Sequence, residues 1–311
     1  MRINVSLNIA ILGGSSHIAR AITPYLLESG AEVTLFARNP GKLAASHCRV
    51  IGDFAELMNG KYDLLINCIG AGTPKELAGD YNRWFTVLEK FDNLALEYLQ
   101  KVNRQTLYVM FSSGAVYGRK NLAPAEENSV WELSPNKIAV PDYYALAKIY
   151  SEAKHRSLPD LRIADLRIFS FFSRHIELDS GYFMTDLVTA ILEDKELTTS
   201  PGEMLRDYPH PADLSDLIIR CAGEEKINRA IDVASMKPLS KSDILKLFSE
   251  KFSLRYKVAD NPHPASPNGE ANIYLPTTEM AEKAVAWLPE FTSAETLVSE
   301  TQAILSKYGK A

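Results

Sequence analysis

The chain has 311 residues, 46% of them hydrophobic and 23% charged, which fits a globular protein with ample core and excludes a disordered chain. Its 34 basic and 39 acidic residues leave a net charge of -5 without any Lys/Arg cluster, which argues against a nucleic-acid-binding surface.

In chain order, "LNIAIL" (7–12) predicts a buried strand, and Ile18, Ile22, Tyr25 and Leu26 give His17 to Ser29 a helical spacing. "AEVTLF" (31–36), "RVI" (49–51) and "YDLLINCI" (62–69) predict a second, third and fourth strand. A helix is predicted from Asp80 to Gln100, a fifth strand at "TLYVMFSS" (106–113), a helix from Tyr143 to His155 and a sixth strand at "RIADLRIF" (162–169). Strands that are nearly continuous in apolar residues and separated by helices imply a parallel sheet covered on both faces. This is a doubly wound α/β domain.

After Phe169 the texture changes. A helix is predicted over about 182–193, another after a cap at Ser240, and a terminal one capped near Ser293, with "DNPHPASPNGE" (260–270) as a surface loop. The expected division is a dinucleotide-binding domain over 1–170, to which 212–235 returns, and a smaller α/β substrate lobe from 171–211 and 236–311. Cys48, Cys68 and Cys221 are odd in number, far apart and in no C-x-x-C pair, so they read as reduced thiols. His17, His175 and His210 lack metal-like spacing and read as structural or surface residues, and no metal is expected. No stretch approaches the ~18 apolar residues of a membrane span, so the chain reads as a soluble cytoplasmic protein with no membrane partner.

Three features carry chemistry. "ILGGSSHIAR" (11–20) follows the first strand where a dinucleotide-binding chain places its glycine-rich turn, but of three expected glycines only Gly13 keeps its place, with Ser16 and Ala19 at the others. "DYYALAKIYSEAK" sets Tyr144 and Lys148 four apart, on one face of a helix. A lysine ammonium beside a tyrosine favours the phenolate and fits it for proton transfer at a carbonyl. With 14 tyrosines in the chain, chance supplies about one such spacing, and Tyr150 with Lys154 makes a second that reads as a solvated helix face. Company separates them: "FSSGAVYG" puts Ser112 and Ser113 at the carboxyl end of the fifth strand, where a hydroxyl can join the tyrosine as a second donor.

"SSGAVYG", "PDYYALAKIYSE", "LRIF" and "RDYPHPADLSDLI" occur in the order and at about the spacing of the extended short-chain dehydrogenase/reductases. The chain resembles this Rossmann-fold family of nucleotide-sugar epimerases, dehydratases and reductases over roughly 8–305. The resemblance implies catalytic roles for Ser113, Tyr144 and Lys148, and cofactor contacts from Gly13, Ser15, Ser16, His17, Ile18, Asp53 and Gly70. It also implies substrate contacts from Tyr117, Ser170 and Arg206, the last matching a diphosphate-binding arginine, a task that suits a guanidinium. Two departures matter. The Asp-Glu pair of the dehydratases is replaced by Gly114 and Ala115, which cannot move protons, and Ser170 replaces a substrate-contacting asparagine.

NAD-preferring members carry an acid at the end of the second strand, whereas "LFARNPGKL" offers Arg38, suited to a 2′-phosphate, so NADP(H) is favoured over NAD(H). The leading expectation is an NADPH-dependent reductase of a nucleotide-linked keto-sugar, a 4-keto-6-deoxyhexose foremost. The alternatives are a nucleotide-sugar epimerase with retained cofactor and a non-catalytic NADP-sensing regulator. The helices over 80–101 and 143–156 resemble those that pair across a dimer axis, so a homodimer is expected.

Overall fold

The computed structural model describes residues 6–43, 47–70, 72, 77–118, 124–259 and 273–310. The chain opens as β1 (Asn8–Leu12), α1 (His17–Glu28), β2 (Glu32–Phe36) and β3 (Arg49–Ile51). It crosses to β4 (Leu64–Asn67), α2 (Arg83–Lys101), β5 (Leu107–Ser113), α3 (Val140–Arg156) and β6 (Ile163–Ile168). There follow α4 (Phe183–Leu192), β7 (Leu197–Thr199), β8 (Leu205–Arg206), α5 (Pro211–Gly223) and β9 (Asn228–Asp232). The remainder is β10 (Leu239–Ser240), α6 (Lys241–Phe252), β11 (Tyr256–Val258), β12 (Ile273–Tyr274), α7 (Glu279–Val285) and α8 (Ser293–Lys307).

Seven strands form one sheet in the order β3-β2-β1-β4-β5-β6-β9, every neighbouring pair parallel. Side chains alternate across it, as a strand's period of two requires. Ile9 and Ile11 of β1 join Ile22 and Leu26 of α1 and Leu214 and Leu217 of α5 in one core. Ala10 and Leu12 join Leu96 and Leu99 of α2 in the other. The order reverses between β1 and β4, which opens a crevice at their carboxyl ends, the ligand edge of such sheets. α4, α6 and α8 build a third core from Phe172, Leu187, Val188, Ile244, Phe248 and Leu297. Two small sheets, β10-β8-β12 and β11-β7, lie in this part of the chain.

The differences from the sequence reading have local causes. The fourth strand is shorter than predicted because its ends are diverted: the Tyr62 amide donates to the Tyr98 hydroxyl at 2.8 Å and the Ile69 amide to Asn67 Oδ1 at 3.0 Å. The helix predicted from Tyr143 starts at Val140, since Pro141 is tolerated in a first turn and Asp142 accepts the Ala139 amide at 2.9 Å. The terminal helix is capped by Thr292, with Ser293 its first residue, whereas the cap at Ser240 stands where predicted. The loop predicted over 260–270 lies outside the described residues. Among the described residues no helix is long and apolar enough to cross a membrane, and no cluster of potential metal ligands occurs.

Candidate active site

β5 delivers Ser113 to the carboxyl edge of the sheet, where its side chain caps the short 3-10 turn Gly114–Tyr117 and accepts the Ala115 amide at 3.2 Å. α3 runs behind and brings Tyr144 and Lys148, one turn apart, against it. Burial pushes the Tyr144 pKa above the ordinary tyrosine value, and the neighbouring Ser113 side chain opposes the rise. Lys148 is buried and donates to the Phe111 carbonyl at 2.6 Å, its Nζ 5.7 Å from the centre of the Tyr144 ring. Burial lowers the ammonium to about 8, against the pull of the Asp165, Glu152 and Asp92 carboxylates. The sequence reading expects Lys148 to depress the phenol's pKa. Here the ammonium is tied to the Phe111 carbonyl, and burial governs Tyr144, which stands as a neutral acid.

The space around Gly114 bears on the missing dehydratase acids. A Cβ added there would lie 2.5 Å from the Phe169 ring, so an acidic side chain at that position has no room. Phe169 also stacks on Tyr117 and packs against Tyr274, whose ring centre is 4.9 Å away. The second Tyr/Lys pair is engaged elsewhere: half-exposed Tyr150 donates to Glu89 at 3.2 Å, and Lys154 bonds Asn93 at 3.0 Å and pairs with Asp92.

At the crevice Gly13 has a φ of +77°, and an added Cβ would lie 2.8 Å from Ile69, so the turn admits only glycine. Ser16 caps α1, its Oγ accepting the Ala19 amide at 3.3 Å. Its hydroxyl therefore serves the helix start. The first-turn amides of His17 and Ile18, which no intrahelical carbonyl reaches, remain for a phosphate. Ser15 and Gly70 are exposed beside the turn. The His17 side chain packs onto Phe171 in an edge contact at 5.2 Å, and burial lowers its pKa to about 4, so it is neutral. Arg38, at the end of β2, and Asp53, after β3, line one cavity of about 530 Å³ with Phe54, Lys90, Phe91 and Leu94. Asp53 caps its own turn there, accepting the Ala55 amide at 2.9 Å.

On the substrate side, Ser170 has a buried hydroxyl with no hydrogen-bond partner. Arg206 is buried on β8 with its guanidinium over the Tyr274 ring at 5.8 Å. The Tyr117 hydroxyl is enclosed in a buried network: it donates to Asp232 at 3.1 Å and accepts from Arg167 at 2.6 Å. Arg167 grips Glu152 with two bonds, and Glu152 accepts the Ser112 hydroxyl at 2.5 Å. Sequence reasoning missed this network and missed Tyr274, whose hydroxyl lies 3.3 Å from Ser113 Oγ. Glu152 stands four residues after Lys148, a spacing that places both on one helix face and is visible in the sequence, but nothing local marks Tyr274. The remaining histidines hold structure: His210 caps α5 and stacks on Phe291 at 4.1 Å, while His175 is held neutral mainly by burial.

The model of the NAD dependent epimerase/dehydratase family matches residues 9–234. The chain belongs to this family. No curated protein sequence matches it significantly. Among solved structures, it is similar to UDP-glucuronic acid 4-epimerase from Bacillus cereus in complex with UDP-glucuronic acid and NAD, at 18% identity and a TM-score of 0.79, covering 97% of this chain and 100% of that one. The UDP-glucose-4-epimerase from Stenotrophomonas maltophila with bound NAD aligns at 16% identity and a TM-score of 0.79 over 97% and 99%. The UDP-N-acetylglucosamine 4-epimerase from Bacillus cereus aligns at 14% and 0.74 over 96% and 99%. These likenesses establish the epimerase/dehydratase fold across nearly the whole chain, well beyond the segment matched by the family model.

Proposed function

We propose that the protein is a nicotinamide-dependent enzyme that exchanges hydride with a nucleotide-linked sugar, and that it acts as a 4-epimerase. The observation that carries this is the Ser113, Tyr144 and Lys148 cluster, complete at the sheet edge, in a fold shared with three solved sugar-nucleotide 4-epimerases. The residues present fit a dinucleotide: a turn at Gly13 that a Cβ would fill, a capped helix start behind it, and a cavity between Arg38 and Asp53. Bound there, the nicotinamide supplies and accepts hydride.

The protein's own part is proton management. Tyr144 gives its proton to the sugar oxygen when hydride arrives at carbon and takes it back in reverse. Ser113 polarises that oxygen. Lys148 holds the ribose side of the cofactor and supplies positive charge beside the phenol. The room denied to an acid at Gly114 argues against sugar dehydration. Arg206 is the residue for the substrate diphosphate. Incubation with UDP-sugars and NAD or NADP, followed by NMR of the C4 configuration, tests the reading; epimer formation without net change in nicotinamide absorbance is expected.

A second reading, the NADPH-dependent reductase of a 4-keto-6-deoxy sugar, is favoured by Arg38, which stands in the adenosine cavity without an acid at the end of β2. It predicts stoichiometric NADPH consumption instead. A non-catalytic NADP sensor would keep its behaviour in Tyr144→Phe, whereas either enzyme would lose its rate.

We further propose a homodimer through α2 and α3. Phe85, Glu89, Ile138, Tyr143, Leu146 and Tyr150 line an open, largely apolar groove of about 530 Å³ between these helices.

A further inference from the structure

A hydroxyl oxygen has two lone pairs and one proton, and a serine that polarises a substrate oxygen has to keep the proton for it. Ser113 Oγ has two hydrogen-bond partners among the described residues. The Ala115 amide, which can only donate, takes one lone pair at 3.2 Å. The second partner is the Tyr274 hydroxyl at 3.3 Å, a bond in which either oxygen is able to donate.

The surroundings of Tyr274 decide the direction. Its side chain is buried, and burial raises its pKa above the ordinary tyrosine value, so the phenol keeps its proton. Among the described residues that proton has no acceptor besides Ser113 Oγ. Were Ser113 the donor, a buried phenol proton would be left without a partner, at the full cost of its desolvation. A phenol is also more acidic than an alkyl hydroxyl, which makes it the better donor. With Tyr274 donating, both lone pairs of Ser113 are filled. The serine proton is the part of the hydroxyl left for a ligand.

The fold holds Tyr274 to this place. It ends β12, which pairs in parallel with β8, and the carbonyl of the next residue, Leu275, accepts the Ala125 amide at 3.0 Å. Its ring packs on Phe169 at 4.9 Å, and Phe169 in turn stacks on Tyr117.

We propose that Tyr274 is a positioning residue that fixes Ser113 as a hydrogen-bond donor to the reacting sugar oxygen. This rests on the reading above that Ser113 polarises that oxygen. The oxygen is a hydroxyl before hydride leaves and a carbonyl afterwards, and in both forms it accepts a hydrogen bond, while its own proton is exchanged with Tyr144. A serine locked as donor therefore serves both directions of hydride transfer, with no reorganisation of its hydroxyl between them.

The test has two arms. In ligand-free protein carrying ring-labelled tyrosine, infrared spectroscopy reads the Tyr274 C–O stretch as the difference between wild type and Tyr274→Phe, a variant that keeps the ring on Phe169. A phenol that donates and one that only accepts absorb at different frequencies. The band of a donating phenol is expected, and it should shift in Ser113→Ala. The band of an accepting phenol, or one unmoved in Ser113→Ala, overturns the proposal. In the kinetic arm, kcat is measured with whichever of UDP-glucose, UDP-glucuronic acid and UDP-N-acetylglucosamine is epimerised, through the double-mutant cycle of Ser113→Ala and Tyr274→Phe. Tyr274→Phe alone is expected to lower kcat about fivefold, the worth of one hydrogen bond, with KM little changed. In the Ser113→Ala background it should lower kcat no further, because the hydroxyl it orients is gone. No loss in the first background, or equal losses in both, overturns the proposal. A donating Tyr274 without turnover of any nucleotide sugar upholds the orientation and contradicts the activity; turnover with an accepting Tyr274 does the reverse.

Discussion

In the ligand-free protein Tyr144 keeps its proton, as the hydride-returning step requires, and the hydride-removing step that opens an epimerisation requires that proton to leave first. Burial holds its phenol above the usual range, so the acid step needs no prior proton uptake. Tyr144→Phe should lower turnover by roughly 10² to 10⁴, the contribution of one placed acid-base group, with the melting temperature unchanged. Lys148 adds a pH dependence. Burial brings its ammonium to about 8 in the ligand-free protein, so the charge is present below that pH and lost above it. Cofactor affinity, measured by nicotinamide fluorescence, should weaken as pH rises through 8, and Lys148→Met should flatten the profile. At the other end of the cofactor, Arg38→Asp should lower affinity for NADPH relative to NADH at least tenfold, since a charge-assisted contact becomes a repulsion. The grouping of Ser113, Tyr144 and Lys148 was legible in the sequence because one helix and one strand end fix its spacing. Tyr274 was not, because Arg206 is brought to it by strand pairing and Ser113 by a side-chain contact, both across distant parts of the chain. Ser16 shows a subtler limit: the serine was visible in place of a glycine, but its employment as a helix cap depends on the fold.

α3 does two tasks at its two ends. Its first half carries Tyr144 and Lys148; its last turn buries His155 between Asp92 of α2 and Asp165 of β6, each at 2.7 Å. Tyr108 of β5 completes the set, donating to Asp92 at 2.9 Å and accepting from Asn67 at 3.0 Å. Burial alone would lower the imidazole, but hydrogen bonds and charges from Asp165 and Asp92 outweigh it and carry the pKa up to about 9. The sign follows directly. A histidine raised in the folded state lends its full stability below the unfolded value near 6.5 and loses it as pH rises through 9. His155→Gln should destabilise by about 3 kcal/mol at pH 6, because two buried carboxylates lose a cation between them. The difference from wild type in urea unfolding should shrink as pH approaches 9. The helix itself was legible from its spacing, though its start was not, since Pro141 reads as a break until the Asp142 cap is seen beside it.

At the scale of the molecule, the parallel sheet and its crevice follow from a simple alternation of apolar strands and helical periods, and the sequence reads them almost completely. The C-terminal part is harder to read: β8, β10 and β12 are pairs of residues, too short for any periodicity, and only tertiary pairing defines them. The groove between α2 and α3 leads to an expectation for assembly. Light scattering at micromolar concentration should give a dimer, and Leu146→Asp, which puts a charge into the groove, should give a folded monomer.

At the centre of the proposal stand Ser113, Tyr144 and Lys148, which serve a nicotinamide that takes hydride from a sugar and returns it to the same sugar. The direct measurement is NMR of C4 after incubating the protein with UDP-glucose, UDP-glucuronic acid and UDP-N-acetylglucosamine in turn, with the nicotinamide absorbance recorded alongside. The account predicts a C4 epimer from at least one of them, no net nicotinamide change, and loss of the product in Tyr144→Phe. Stoichiometric NADPH consumption with a keto-sugar and no epimer from any substrate would contradict it.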